Sequence, residues 1–320
     1  MSLPVSTLLE VSHQTLYAYA APVALAHHLA HLQPIDDAHQ QLLSFGLMIE
    51  PKPDHERSSV DSRGNAERRF SLAQPHRQLE VRATSRLRVA DRFAELRAEQ
   101  SPPWEALADR LRYAAGRPFE PQVEFALPSP YAPRLAVLGD YAAASFTPGR
   151  PVAAAALALM RRIYTDFAFD ADSTNIDTPL EAVWASKRGV CQDFAHLTAA
   201  AMRMLGLPVR YVSGYLLTHA LGSDVAMLGI DASHAWVQAW CPGTPGVPED
   251  GWLDLDPTND VVPGSGHVRL AVGRDFGDVT PLRGVIRGSG SATLKVAVAT
   301  RVLEPQATPP RVNPKENAAL

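Results

Sequence analysis

The chain has 320 residues, 46% hydrophobic and 20% charged, with 30 basic against 34 acidic side chains and a net charge of −4. That size suits one large or two medium domains, and the balanced charge, with no interleaving of basic and aromatic residues, excludes a nucleic-acid partner. Two cysteines are too few for a disulfide framework, so a reducing compartment, or thiols used as thiols, is expected.

The start, Met1-Ser2-Leu3-Pro4-Val5-Ser6, lacks the basic and apolar regions of a signal peptide. The first ninety residues then read as β structure. Tyr17 and Tyr19 alternate before Pro22, and Leu43, Phe45, Leu47 and Ile49 alternate before Pro51. Asp61-Ser62-Arg63-Gly64-Asn65 reads as the turn of a hairpin closing onto Arg69–Leu72. Leu79, Val81, Ala83, Leu87 and Val89 share one face of a long strand, with Arg82, Arg86 and Arg88 on the other. His27, His28, His31 and His39 are read as exposed or half-buried β residues with no Cys among them, so no metal is assigned.

Past Pro103 the period becomes helical. Trp104, Leu107, Leu111 and Ala114 mark one helix, and a Pro-rich connection leads to a second near Pro151 to Phe167. The most apolar stretch, Val152 to Met160, is too short to span a membrane, so a cytoplasmic protein with no membrane partner is expected. Thr178-Pro179-Leu180-Glu181 predicts a helix capped by Thr178 and ending near Gly189. Next comes a helical face of Phe194, Leu197, Thr198, Ala201 and Leu205, stopped by Gly206-Leu207-Pro208. Strands are expected at 209–217, 232–240 and 252–256, with a last one around Leu294, Val296 and Val298 and a loose tail beyond Pro305.

Three residues in this second region carry chemistry. Cys191 falls at a helix N-terminus, where unpaired N–H groups and the dipole favour a negative sulfur. His234 and Asp256 fall on successive strands. If Trp240 pairs with Trp252, His234 becomes a diagonal neighbour of Asp256 on one face, with Cα atoms about 7–8 Å apart. A carboxylate there can fix the imidazole tautomer while the imidazole takes and returns a proton for the thiol. Asp254 shares that face and competes for the role; Asp193 reads as a first-turn acid and Cys241 as a passive thiol. Oxyanion donors stay open among the Cys191 N–H, the indoles of Trp184 and Trp236, and the Gln192 amide. No phosphate loop, calcium loop or other cofactor motif is present, so no cofactor is assigned.

The runs Gly189-Val190-Cys191-Gln192-Asp193-Phe194-Ala195-His196, His234-Ala235-Trp236 and Asp256-Pro257-Thr258-Asn259 resemble the transglutaminase-like superfamily, in its bacterial branch described as cysteine proteases. Tyr17-Ala18-Tyr19, Pro22-Val23 and Asp61 with Gly64-Asn65 resemble that branch's N-terminal domain, and Gly273–Val279 with Pro281 fits it too. The resemblance implies an α+β fold: an N-terminal antiparallel β domain (1–100), then a papain-like core (101–305) with the nucleophile helix packed on an antiparallel sheet, then a tail (306–320). It also implies Cys191 as nucleophile, His234 as base and acid, Asp256 as orienting carboxylate, and a peptide or protein substrate. Hydrolysis through a thioester is the leading expectation; glutamine transfer to an amine, or a binding module keeping the triad as scaffold, are the alternatives.

Overall fold

The structure, a computed structural model, describes residues 6–217, 233–288 and 290–303. The N-terminal sheet is built on one strand, β1 (Ser6–Ala30). Strands β2 (Gln40–Glu50), β3 (His55–Val60), β4 (Ala66–Leu72) and β5 (His76–Ala90) follow it. By register, β4 and β5 run end to end along β1, facing Ala30 back to Ala26 and Val23 back to Ser6. Pro22, which has no N–H to give, lies where the β5 pairing skips from Ala18 to Val23. β2 and β3 flank β5 and β4. The expected turn at 61–65 closes the β3–β4 hairpin, with the Asp61 N–H donating to the Asn65 carbonyl at 3.0 Å.

Helices α1 (Trp104–Leu111), α2 (Ala136–Ala143), α3 (Val152–Asp166) and α4 (Leu180–Ser186) lead to α5 (Cys191–Met204). Short parallel strands β6 (Ala168–Phe169) and β7 (Arg188–Gly189) brace the approach to Cys191. The sequence reading has no helix at α2, and the N-cap it expects for α4 is displaced. Thr178 Oγ accepts the Asn175 N–H at 3.0 Å, leaving Pro179 as the helix boundary.

The second sheet has the order β10-β9-β8-β11, from β8 (Val209–Leu216), β9 (His234–Trp240), β10 (Trp252–Leu255) and β11 (His267–Gly273). Trp252 does pair with Trp240, and Leu255 with Val237, so the expected register holds. Ala235, Val237 and Ala239 share a core with α5 residues Phe194, Leu197 and Ala201. The opposite face is also buried. There Val212, Trp236 and Val272 pack with Ile35 from the β1–β2 connection.

Two primary amides fasten the N-terminal domain to β11. Gln40 donates to the Arg269 carbonyl (2.8 Å) and accepts its N–H (2.8 Å). Asn65 does the same at Val272, at 2.8 and 2.7 Å. After α6 (Phe276–Val279), strands β12 (Leu282–Gly288) and β13 (Ala292–Val302) return to the first sheet and pair along the remaining edge of β1. Residues 282–302 are thus strand partners of the N-terminal domain, where the sequence reading attached them to the core. One continuous core runs from Leu9, Val11, Leu87 and Val89 through α5 to Tyr215 and Leu270. The tail expected at 306–320 and the first residues lie outside the described residues. Among those described, no helix is long and apolar enough to cross a membrane.

Candidate active site

Cys191 opens α5 and stays half-buried, while Phe194 to Met202 behind it are fully buried. Its position is set by the turn before it. The Asp193 carboxylate curls back to accept the Val190 N–H at 2.8 Å and the Thr174 hydroxyl at 2.7 Å. A Cβ at Gly189 would lie 2.8 Å from both Cβ and Oδ2 of Asp193, so only glycine admits this cap. Burial raises the Asp193 pKa, which those two hydrogen bonds oppose. Asp193 is therefore the first-turn acid that its position suggested.

His234 is the first residue of β9 and Asp256 follows the end of β10. Both are buried, and His234 Nε2 donates to Asp256 Oδ2 at 2.8 Å. Burial alone would lower the His234 pKa, but the Asp256 charge and hydrogen bond, joined by the neighbouring Cys191 side chain, carry it well above the ordinary value. Burial would likewise raise Asp256, yet the imidazoles of His234 and His267 hold it far below the usual carboxylate range. With Nε2 committed, Nδ1 is the ring atom left for the sulfur; it is buried without a hydrogen-bond partner among the described residues.

Sequence reasoning missed part of this environment. Asp256 Oδ2 also accepts from His267 Nε2 (3.2 Å) and from Asn259 Nδ2 (2.9 Å), while Oδ1 accepts the Thr258 N–H (3.0 Å). His267 opens β11, a strand absent from the sequence reading, and the pairing of β11 with β8, which lies beside β9, sets it near Asp256. Its signal was the apolar run after it. Trp236 stacks under His234 (6.0 Å, 28°) and meets His267 edge-on (5.4 Å, 81°).

Asp254 faces Gln238, one pair further along, and its charge acts on Arg92 and Arg210 rather than on His234. Cys241 is buried and its thiol pKa is pushed up by that burial. His196 lies between the rings of Tyr131 and Tyr211 and accepts the Phe276 N–H; burial pushes its pKa down to about 3, so it is neutral and structural. Among the proposed oxyanion donors, Trp184 packs on Tyr141 and Phe167 beneath the Lys187 ammonium. Trp236 Nε1 is buried with no partner among the described residues, and Gln192 lines a cleft with Tyr131, Thr178 and Glu181.

An α+β protein with a thiol at a helix start beside a buried His–Asp pair is the class that fold and site define. Residues 9–88 match the profile of the bacterial transglutaminase-like N-terminal region, and residues 140–257 match that of the transglutaminase-like superfamily. The chain belongs to the transglutaminase-like superfamily. It is 37% identical over 303 residues to the uncharacterized protein Rv2569c of Mycobacterium tuberculosis, covering 93% of this chain and 94% of that one. A protein-glutamine gamma-glutamyltransferase of Pseudomonas aeruginosa is 32% identical over 118 residues, covering 36% of this chain and 17% of that one. The crystal structure of a candidate cysteine protease from Cytophaga hutchinsonii shares the fold, with a TM-score of 0.69 at 21% identity over 95% of this chain and 93% of that one.

Proposed function

We propose that the protein is a thiol-dependent amide hydrolase of peptides or proteins, with Cys191 as nucleophile, His234 as proton carrier and Asp256 as the carboxylate that orients the ring. The observation that supports this reading is the buried His234–Asp256 hydrogen bond, which commits Nε2 and leaves Nδ1 without a hydrogen-bond partner among the described residues. His234 takes the thiol proton, which leaves a thiolate beside an imidazolium. The thiolate attacks the substrate carbonyl carbon, and the developing oxyanion needs donors, for which the Cys191 N–H and the Gln192 amide stand nearest in sequence. Collapse breaks the C–N bond as His234 hands its proton to the leaving amine, giving a thioester. Water then adds, its proton taken by His234, and the acid leaves as the thiolate is restored.

A second reading is transfer of the acyl group to an amine instead of water, favoured by the P. aeruginosa relative's name. Both share the thioester. A limiting dose of iodoacetamide should alkylate Cys191 much faster than buried Cys241, and His234→Ala should slow the alkylation of Cys191 itself. Equal, slow modification of both thiols would reject a reactive Cys191 and leave a scaffold. Release of acid alone from glutamine peptides supplied with an amine selects hydrolysis; amine incorporation selects transfer.

A further inference from the structure

We propose that His31, Asp61 and Glu67 form a binding site for a divalent transition-metal ion of the zinc class, at the seam between the N-terminal sheet and the catalytic unit. In sequence His31, part of a histidine-rich run, lies 30 residues before Asp61 and 36 before Glu67. The sheet changes that. Pairing of β1 with β4 brings Glu67 beside the end of β1, and the β3–β4 turn carries Asp61 to the same place. One ligand atom from each of the three residues lies within 4.8 Å of the others, and His31 Nε2 is 3.7 Å from Glu67 Oε1. Tetrahedral ligands at about 2.0–2.1 Å from zinc stand somewhat over 3 Å apart, so a small contraction completes the shell.

The protonation pattern supports a ligand role. His31 Nδ1 lies 3.1 Å from the Thr280 carbonyl, which can only accept, so Nδ1 carries the hydrogen. In the neutral ring Nε2 then offers a lone pair, and it has no hydrogen-bond partner among the described residues although His31 is 1% exposed. An imidazole anchored through one nitrogen to a backbone carbonyl, with the other free, is the usual arrangement of a metal-binding histidine. The carboxylates keep capacity as well. Glu67 Oε2 takes Ser59 and Arg69, leaving Oε1 without a hydrogen-bond donor among the described residues. Asp61 accepts the N–H groups of Arg63 and Asn65 on Oδ1 and the Asn65 amide on Oδ2, which retains a lone pair. One nitrogen and two carboxylates suit zinc or manganese better than calcium or magnesium, and a fourth position stays open to water.

The competing account is an imidazolium at His31 paired with Glu67 and no metal. The metal account also joins the two units. His31 is held by Thr280 through its ring and by Pro281 through its N–H, while Asn65, beside Asp61, grips Val272. An ion there draws the hairpin and the end of β1 onto the segment that carries α6.

A test needs other ligands silenced, because His234, Asp256 and His267 also lie within 4.8 Å of one another and Cys191 is a thiol. The full chain carrying Cys191→Ala and His267→Ala, stripped with chelator, is titrated with zinc by calorimetry, with bound metal counted after dialysis. The expected result is one equivalent and a melting temperature that rises with zinc. His31→Gln and Glu67→Gln, each added to that background, should weaken binding at least ~10-fold and remove the rise. Absence of bound zinc, or binding unchanged by both substitutions, overturns the proposal.

Discussion

Asp256 accepts three donors on one oxygen and a backbone N–H on the other, which explains how a fully buried carboxylate stays charged. The charge has a pH signature. The raised His234 pKa makes its contribution to stability complete below 6.5, the ordinary value, and lost as pH climbs through the folded value. The depressed Asp256 pKa makes its contribution complete above 3.8 and lost as pH falls through the folded value. Both are in full force between 3.8 and 6.5. Asp256→Ala should therefore cost most in that window, about 3–5 kcal/mol, and less at mildly alkaline pH. Urea unfolding of both proteins near the two conditions measures this, and an equal cost at each would show that the ring and carboxylate do not titrate as a pair. At this scale the sequence was informative where chemistry is local. Cys191, His234 and Asp256 each sit in a recognisable run, and the alternation on β9 and β10 predicted which side chains share a face. His267 reaches the same oxygen through a strand pairing that no spacing encodes.

Among the elements, β8 sets the depth of the site. Gly214 lies opposite His234, and a Cβ there would overlap both the Trp236 ring and the Val268 carbonyl oxygen. The indole that floors the His234 ring occupies space a side chain would fill. Gly214→Ala should push β8, β9 and β11 apart, costing about 1–3 kcal/mol and slowing alkylation of Cys191. Gly46→Ala is the matched control, since nothing lies within 4 Å of its Cβ; it should be neutral or slightly stabilising by comparison. Parallel denaturation curves decide, and equal behaviour would refute the packing argument. Elements with strict alternation were legible, down to the Trp240–Trp252 register. β12 was not: after Leu282 it is exposed throughout, so it carries no inward–outward pattern, and its pairing with residues some 250 positions away is a tertiary choice.

For the whole molecule, the sequence predicted a β domain beside a papain-like core, but not how tightly the two are tied. The antiparallel sheet of the core would expose Trp236, Val212 and Val272 if it stood alone, and β11 would present an open edge. The N-terminal domain answers both needs. Ile35 covers the apolar face, and Gln40 and Asn65 act as surrogate strand residues, each satisfying an N–H and a carbonyl of β11. Side-chain amides suit this task because each offers a donor and an acceptor in one plane, like a peptide group. Asn65→Ala leaves the Val272 N–H and carbonyl without that partner, and Asn65 itself is wholly buried, so water cannot readily replace it. The expected loss is about 1–3 kcal/mol for each group stranded. Because the amide also fixes the strand behind Trp236, alkylation of Cys191 should slow along with it. Asn65→Asp is the sharper probe: it keeps the shape and the acceptor for the Val272 N–H but sets an anion against the Val272 carbonyl and the Asp61 carboxylate. It should be at least as damaging as alanine at neutral pH and recover in part as acid protonates the new group. A variant as stable as the parent at neutral pH would mean that the two units do not depend on this amide to hold together.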